Sequence, residues 1–186
     1  TQEAQEPTVG ASGKTRPTTN GKADNSLTVA ISDPITTLDP ELFKKQSEDN
    51  IIINVYDPLF YLDNDGNIVN ALAEEYTVND DGSVDVTLRA AKFHSGDDFK
   101  AEDVAYTLSP LCSTLVGTME VEVVDDSHIK LVFPKADQGY NFEALMPYIQ
   151  GMNIINKSYC ETVISDPNGD LGFNVDGTGS YKFVSK

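Results

Sequence analysis

The sequence predicts an α+β fold in which a mixed sheet with hairpins is combined with short helices. Short runs of alternating apolar residues are separated by turn sequences rich in Asp and Gly, a pattern typical of β-hairpins. Apolar residues at helical spacing occur only in short stretches. Because these patterns do not follow the regular alternation of a βαβ protein, we expect hairpins and helices to form one α+β unit.

The first 26 residues differ in composition from the rest of the chain. They are mostly small or polar, and Val9 is their only large aliphatic residue. Such a segment cannot bury enough apolar surface to offset the entropy lost on ordering its backbone. We therefore expect residues 1–26 to be a disordered tether and residues 27–186 to be folded. Such a tether is typical of a surface lipoprotein, although a cloning remnant has the same composition.

The folded part is expected to begin with a strand at residues 27–31, where large apolar and smaller residues alternate. A helix is predicted over residues 47–56 from the helical spacing of apolar residues, with Ser47 or Asp49 as its N-cap. A final strand is predicted at residues 181–184. We expect this last strand to neighbour the first one in a sheet.

Three hairpins and three further helices are predicted between these segments. In the first two hairpins an Asp-Gly pair supplies the positive φ that a tight turn needs. In the strands, alternation of apolar residues gives each hairpin one apolar face. The predicted hairpins span residues 61–69, 76–88 and 119–133, and the predicted helices span residues 101–108, 140–148 and 157–164.

Charge excludes some classes of partner. The 186 residues carry 30 acidic and 13 basic side chains, which gives a formal net charge of −17 at pH 7. Such a surface repels nucleic-acid phosphates and anionic lipid headgroups, so we expect no nucleic acid partner. The same acidity is typical of an exported protein kept soluble by its surface charge, and it identifies no ligand.

Location and redox state are less constrained by the sequence. No run of residues approaches the roughly 18–20 consecutive apolar residues of a membrane-spanning helix, and no signal peptide is visible. The protein is therefore either cytoplasmic or exported by a targeting segment removed ahead of residue 1. Cys112 and Cys160 are compatible with one disulfide, with two buried thiols or with neither role, because bridging depends on the distance between their Cα atoms.

A series of short motifs runs in order through the folded part, and their order and spacing are specific although each alone is weak. The motifs are Leu38-Asp39-Pro40, Tyr56-Asp57-Pro58-Leu59, Asp63-Asn64-Asp65-Gly66, Ala71-Leu72-Ala73-Glu74, Lys92-Phe93-His94-Ser95-Gly96, Ala101-Glu102-Asp103-Val104 and Gly177-Thr178-Gly179-Ser180-Tyr181. Through these motifs residues 27–186 resemble the family 5 extracellular solute-binding proteins, which include oligopeptide-, dipeptide- and nickel-binding members.

The resemblance implies the first lobe of a type II periplasmic-binding-protein-like fold. In that family the chain continues far beyond the Gly-Thr-Gly motif, whereas this sequence ends seven residues after Gly179. We therefore expect the second lobe to be absent. Where the family has a Thr or Ser that caps a helix, this sequence has Lys100, a loss of about 1 kcal/mol unless Asp97 or Asp98 substitutes as the cap.

The resemblance also implies solute capture for an ABC importer. Members bind solute between two lobes that close about a hinge, and the closed form meets the membrane permease. We expect a peptide or other small solute, a monomer, and an extracellular location as a cell-surface lipoprotein or periplasmic protein, with no cofactor and no metal site. Because one wall of the cleft is expected to be missing, this chain should bind peptides weakly or not at all.

The residues expected to contact solute lie in two segments. Peptide-binding relatives offer backbone hydrogen bonds from the segment after Leu-Asp-Pro, which places Lys44, Lys45 and Gln46 in the cleft. The loop after the first strand adds Ser32 and Asp33, since open mixed sheets often place ligand contacts there. A solvated entry to a helix is an equal interpretation of the two lysines, and a plain connection is the usual role of such a loop.

No catalytic residues are predicted, so we do not expect an enzyme. The chain has two histidines and two cysteines, and no serine lies in a recognisable nucleophile elbow or triad. His94 lies within a Phe-His-x-Gly motif that is structural in the family. The alternative function is a stand-alone cell-surface interaction or adhesion module built on half of the binding-protein fold, which a natural gene ending near Lys186 would favour.

Overall fold

The structure is a computed structural model that describes residues 28–108 and 117–185. The predicted tether at residues 1–26 lies outside the described residues, and so does Cys112. Cys160 is buried in the last helix.

The chain divides into two units, Thr1–Ile31 and Ser32–Lys186. In the first unit the described residues, 28–31, form no regular secondary structure and are exposed. The strand predicted there is therefore wrong over these four positions. Alternation of apolar residues shows that a segment suits a strand, but a strand forms only when its N–H and C=O groups meet a neighbouring strand.

The second unit contains four helices and six strands among its described residues, in the predicted order. The helices are Gln46–Val55 (α1), Ala101–Thr107 (α2), Phe142–Ile149 (α3) and Lys157–Ser165 (α4), with a 3-10 turn at Ala136–Gln138. The strands are Phe60–Leu62 (β1), Ile68–Asn70 (β2), Ala73–Val78 (β3), Val84–Leu88 (β4), Glu120–Asp125 (β5) and His128–Val132 (β6). The three predicted hairpins and the four predicted helices are confirmed, with small shifts of their ends.

The strands pair as hairpins. β1 pairs with β2, and a four-stranded sheet has the order β3-β4-β6-β5. Every ladder between the described strands is antiparallel, so the parallel pairs of a mixed sheet are not found in this part of the chain. Antiparallel ladders follow from the short turns, since parallel neighbours need a long crossover. The α+β class is confirmed.

The final strand predicted at residues 181–184 is also wrong. The N–H of Tyr181 donates to the carbonyl oxygen of Asn54 at 3.0 Å, at the end of α1 rather than in a ladder. Val184 is 90% exposed. Neither residues 28–31 nor residues 181–184 form a strand, so the strand pairing expected from the sequence has no strands to join.

Two apolar clusters form the core of the second unit. The larger one fills the space between the four-stranded sheet, α2 and α3, and alternate residues of β4 and β6 enter it. Phe60 and Phe142 meet edge to face there, with ring centroids 5.6 Å apart. Full burial of one such side chain contributes roughly 1.5–3 kcal/mol. The smaller cluster consists of Leu38, Ile52, Val55, Tyr56, Ile155 and Cys160, and it holds α1 near α4.

α1 and α2 begin in the same way. Each has a lysine at the N-cap position, Lys45 and Lys100, which has no side-chain oxygen to accept from the first turn. The acidic residue three positions later instead accepts from the backbone N–H of that lysine, Glu48 at 3.3 Å and Asp103 at 2.9 Å. Neither α1 nor α2 therefore needs a Ser, Thr or Asp at its N-cap position. The predicted caps Ser47 and Asp49 are therefore wrong, since both lie inside α1, and neither Asp97 nor Asp98 substitutes as the cap of α2.

Candidate functional site

The loop ahead of α1 and the start of α1 meet around the carboxylate of Glu48, whose side chain is 1% exposed. Its Oε1 accepts from the backbone N–H groups of Thr36 at 2.8 Å and Thr37 at 3.3 Å, and from the Thr36 hydroxyl. Its Oε2 accepts from the N–H groups of Lys44 at 3.1 Å and Lys45 at 3.3 Å. These donors, the Thr36 hydroxyl first, lower the pKa of Glu48 to about 2.

Through Glu48 the structure brings together the two segments that the sequence predicted to contact solute. Lys45 strengthens the connection, because its Nζ donates to the carbonyl oxygen of Pro34 at 2.8 Å and lies 4.0 Å from Glu48 Oε1. Residues 32–37 and 44–48 therefore form one surface at the start of α1, which we call the α1 entry face.

Ser32 and Asp33 lie at the outer edge of the α1 entry face. The Ser32 hydroxyl donates to Asp33 Oδ2 at 2.8 Å, and both residues are exposed. The loop residues are therefore accessible, but they bond to each other rather than to a group on α1.

The predicted side chains at the start of α1 differ in availability. Gln46 Nε2 donates to Asp49 Oδ2 at 3.0 Å and to Asn50 Oδ1 at 3.2 Å, so the amide is engaged along the helix. Lys44 is exposed, and its ammonium group has no hydrogen bond or ion pair within the described part of the chain. Lys44 is therefore the cation of the α1 entry face that a solute can reach.

Free backbone donors of the α1 entry face lie in the first turn of α1 rather than in the segment before it. The N–H groups of Lys44 and Lys45 are occupied by Glu48, and the Lys45 carbonyl accepts from N–H groups of α1. Few backbone groups of this segment are therefore available for the hydrogen bonds to a peptide that the family resemblance implies. The N–H groups of Gln46 and Ser47, in contrast, have no partner among the described residues, and the buried Ser47 hydroxyl has none either. Donors at a helix start carry partial positive charge and suit a carboxylate.

Glu48 is not among the residues singled out from the sequence. The signal for its larger role was present, since an acidic residue three positions after an N-cap is the second half of a capping box. The cap itself is a lysine, which concealed that pattern. The contacts to Thr36 and Thr37 had no signal, because they depend on how the loop folds back.

The opposite end of α1 is held by the Gly-Thr-Gly segment. The N–H of Gly179 donates to the carbonyl oxygen of Val55 at 2.9 Å, and the Thr178 hydroxyl donates to Asp57 Oδ2 at 3.0 Å. A Cβ on Gly177 would lie 2.1 Å from the Val55 oxygen, and one on Gly179 would lie 2.6 Å from the Val55 carbonyl carbon. Only glycine permits this approach, so the motif fixes where α1 ends.

His94 lies against the same segment. Its N–H donates to the carbonyl oxygen of Gly177 at 2.9 Å, and its Nε2 is 2.8 Å from the carbonyl oxygen of Gly179. Lys182 Nζ donates to the His94 carbonyl at 2.9 Å. These contacts match the structural role expected for the Phe-His-x-Gly motif.

The described residues contain neither a cluster suited to a metal ion nor a helix suited to crossing a membrane. Within residues 28–108 and 117–185, no group of three or more His, Cys, Asp or Glu side chains is arranged to hold a metal ion. None of the helices in those ranges has the length and apolar character that crossing a bilayer requires.

Comparison with known proteins identifies the family. The family model described as "Bacterial extracellular solute-binding proteins, family 5 Middle" matches residues 67–186, which is more than half of the chain. The chain belongs to this family. The α1 entry face lies ahead of the matched residues. The resemblance inferred from the motifs is confirmed.

Curated relatives of this family 5 protein include glutathione-binding proteins. GsiB of Salmonella typhi is 29% identical, over 86% of this chain and 32% of the relative. GsiB of Escherichia coli O6:K15:H31 is 27% identical with the same coverage. The chain thus spans about a third of the length of the curated relatives that it matches.

Solved structures show the same fold. The oligopeptide-binding protein AppA of Bacillus subtilis, in complex with a nonapeptide, has a TM-score of 0.68 at 22% identity, over 84% of this chain and 33% of AppA. NikZ of Campylobacter jejuni, in complex with Ni(L-His), has a TM-score of 0.65 at 23% identity, over 84% of this chain and 32% of NikZ. The described α+β unit is therefore part of a lobe of a periplasmic-binding-protein fold.

Proposed function

We propose that this region is the first lobe of an extracellular solute-binding protein that captures short peptides for an ABC importer. The observation that carries the proposal is the α1 entry face, where Lys44 and the N–H groups of Gln46 and Ser47 have no partner within the described residues. An ammonium group beside a helix start favours a carboxylate, and every free peptide ends in one.

The relatives support a peptide as solute. GsiB is named for binding glutathione, itself a small peptide, and AppA was solved with a nonapeptide. NikZ, solved with Ni(L-His), indicates that members of similar fold also hold other solutes. The chemistry at the start of α1 favours the peptide because the groups without a partner there, Lys44 and the N–H groups of Gln46 and Ser47, are donors rather than metal ligands.

Location and partner follow from the same proposal. The protein would act outside the cytoplasmic membrane, as a cell-surface lipoprotein or in the periplasm, and would deliver its solute to the permease of the importer. The family description supports the extracellular location. The net charge of −17 fits an exported, soluble surface.

A nuclear magnetic resonance titration tests the role of the peptide carboxylate. The ¹⁵N-labelled chain is titrated with trialanine and, as a matched control, with trialanine amidated at its C-terminus. We expect saturable shifts of the amides at residues 44–47 with trialanine. Binding of the amidated peptide should be about fivefold weaker, the effect of losing an exposed ion pair of about 1 kcal/mol.

A pair of lysine variants completes the test. Lys44→Ala should remove the preference for the free carboxylate, whereas Lys135→Ala, at a lysine outside the α1 entry face, should keep it. Shifts confined to other parts of the chain, or equal affinities for the two peptides in the unaltered chain, would contradict the proposal.

A further inference from the structure

A second concave site shares no residue with the α1 entry face. It is a cavity of about 260 Å³ between the segment after Leu38, α2, α4 and residues 171–176. An apolar cavity of about 150 Å³ already accepts benzene. This cavity therefore has room for a slightly larger organic group.

The wall of the cavity is mostly apolar and aromatic. Three tyrosines line it, Tyr56, Tyr106 and Tyr159. Leu42 and Ile164 also line it, yet they are 64% and 60% exposed. Large aliphatic side chains left exposed at the mouth of an aromatic cavity are typical of a surface that receives an apolar group.

The charged groups of the cavity are all acidic. Its lining contains Asp39, Glu41 and Asp176 and no basic residue. Asp176 already accepts from Ser95 and from Asn156 Nδ2, at 2.7–2.8 Å. A solute in this cavity therefore meets negative charge, of which part is already compensated by the protein.

Glu41 is the carboxylate whose charge is not compensated. Its side chain has no hydrogen bond or ion pair among the described residues, while Asp39 beside it accepts from the Glu41 backbone N–H at 2.9 Å. Although part of Glu41 remains exposed, burial of its carboxyl group, with the negative charge of Asp39, raises its pKa to about 7. A cation placed next to Glu41 would offset the repulsion from Asp39 and stabilise the charged form of Glu41.

We propose that this cavity binds a small organic cation, with an ammonium group at Glu41 and an apolar body among Tyr56, Tyr106 and Tyr159. The carboxylates supply charge of the right sign, and tyrosine rings attract cations in addition to packing against apolar groups. An organic anion is disfavoured because it would meet carboxylates and no basic side chain. The proposal stands independently of the peptide site, since the two share no residue.

Three ligands of nearly equal shape test the proposal on the ¹⁵N-labelled chain. They are phenylpropylamine, which is a cation at neutral pH, neutral phenylpropanol and anionic phenylpropanoate. We expect the amine to shift the amides of residues 39–42 and 159–164 saturably and to bind at least about fivefold tighter than the alcohol. The carboxylate should cause no saturable shift of those amides. Equal affinity for the amine and the alcohol would overturn the proposal.

Glu41→Gln then tests the position of the cation. In this variant the amine should bind no tighter than the alcohol, while the affinity for the alcohol, which also reports that the cavity is intact, should stay the same. Glu143→Gln, at an exposed glutamate of α3 outside the cavity, should behave like the unaltered chain. A preference for the amine that survives in Glu41→Gln would show that the ammonium group lies elsewhere and would overturn the assignment.

Discussion

At its start α1 is held by a single carboxylate, whereas at its end it is held by the backbone of a glycine segment. Glu48 collects four backbone N–H groups and one hydroxyl from two stretches of chain. At the other end Gly177 and Gly179 approach Val55 so closely that no side chain fits between them. The first arrangement depends on the charge of Glu48 and therefore on pH, whereas the second depends on a backbone hydrogen bond and on the absence of a Cβ.

This difference bears on function. The glycine contact anchors α1 to the rest of the unit through a bond between two backbone groups, neither of which titrates. The Glu48 cluster lies beside Lys44, where we propose that solute binds, and changes in its charge would alter the shape of the α1 entry face.

Gly177→Ala should be the most damaging change. The added Cβ would lie 2.1 Å from the Val55 oxygen, so α1 or the Gly-Thr-Gly segment must move. We expect the free energy of unfolding, measured by urea denaturation, to fall by about 3 kcal/mol or more. Gly151→Ala is the control, because its nearest contact is an ordinary 3.5 Å and the loss should stay below about 1 kcal/mol. Equal stability of the two variants would show that the close approach is not needed.

Glu48→Ala should have the next largest effect. It leaves the N–H groups of Thr36, Thr37, Lys44 and Lys45 without their acceptor. We expect Tm to fall by roughly 5 °C or more, and these four amides to exchange their hydrogens faster. Glu143→Ala, at an exposed residue, should lower Tm by less than about 2 °C. A similar Tm for both variants would mean that Glu48 is not the centre of the cluster.

The pH dependence of stability should have opposite signs at two glutamates. The pKa of Glu48 is lowered to about 2, so its stabilisation is complete above the ordinary value of 4.5 and is lost as pH falls through 2. The pKa of Glu41 is raised to about 7, so its contribution is complete below 4.5 and is lost as pH rises through 7.

At each pH the urea midpoint of Glu48→Gln or Glu41→Gln is subtracted from that of the unaltered chain. The difference isolates the contribution of that glutamate to stability. For Glu48 the difference should shrink between about pH 5 and pH 2, and for Glu41 it should shrink, more weakly, between about pH 4.5 and pH 7.5. Slopes of the same sign for both residues would contradict the pKa directions.

Lys44→Ala should have the smallest effect on stability. Because the Lys44 side chain has no partner among the described residues, Tm should stay within about 1 °C of the unaltered chain. Lys45→Ala, which removes the bond to the Pro34 carbonyl, should lower Tm by roughly 2 °C. A larger loss for Lys44 than for Lys45 would place Lys44 in the fold rather than at a solute-binding surface.

Local patterns explain which parts of the fold could be predicted. The hairpins have Asp-Gly turns between alternating residues, and α1 has apolar residues at helical spacing, so each element is specified within a few neighbouring residues. Residues 28–31 and 181–184 have the same alternation but no neighbouring strand in the described chain. A strand requires a partner that its own sequence does not encode, which is why those two predictions fail.

The candidate site, like the fold, could be predicted only in part. Lys44, Lys45 and Gln46, predicted from the family resemblance, lie with Ser32 and Asp33 at the α1 entry face, and their contact with solute stays a prediction. The sequence did not reveal that Glu48 joins the two segments. It also gave no sign of the acidic cavity at Glu41, because Asp39 and Asp176 come from distant parts of the chain.

By itself, the sequence determined the family, the α+β class and the order of the helices and hairpins, because these depend on short-range periodicity and on motifs that stay in order along the chain. Only the tertiary structure decided which donors surround Glu48, why two glycines must lie against Val55, and where the acidic, aromatic cavity forms. The physical reason is that each of these depends on distances between residues far apart in sequence, which are set by packing rather than by local conformational preference.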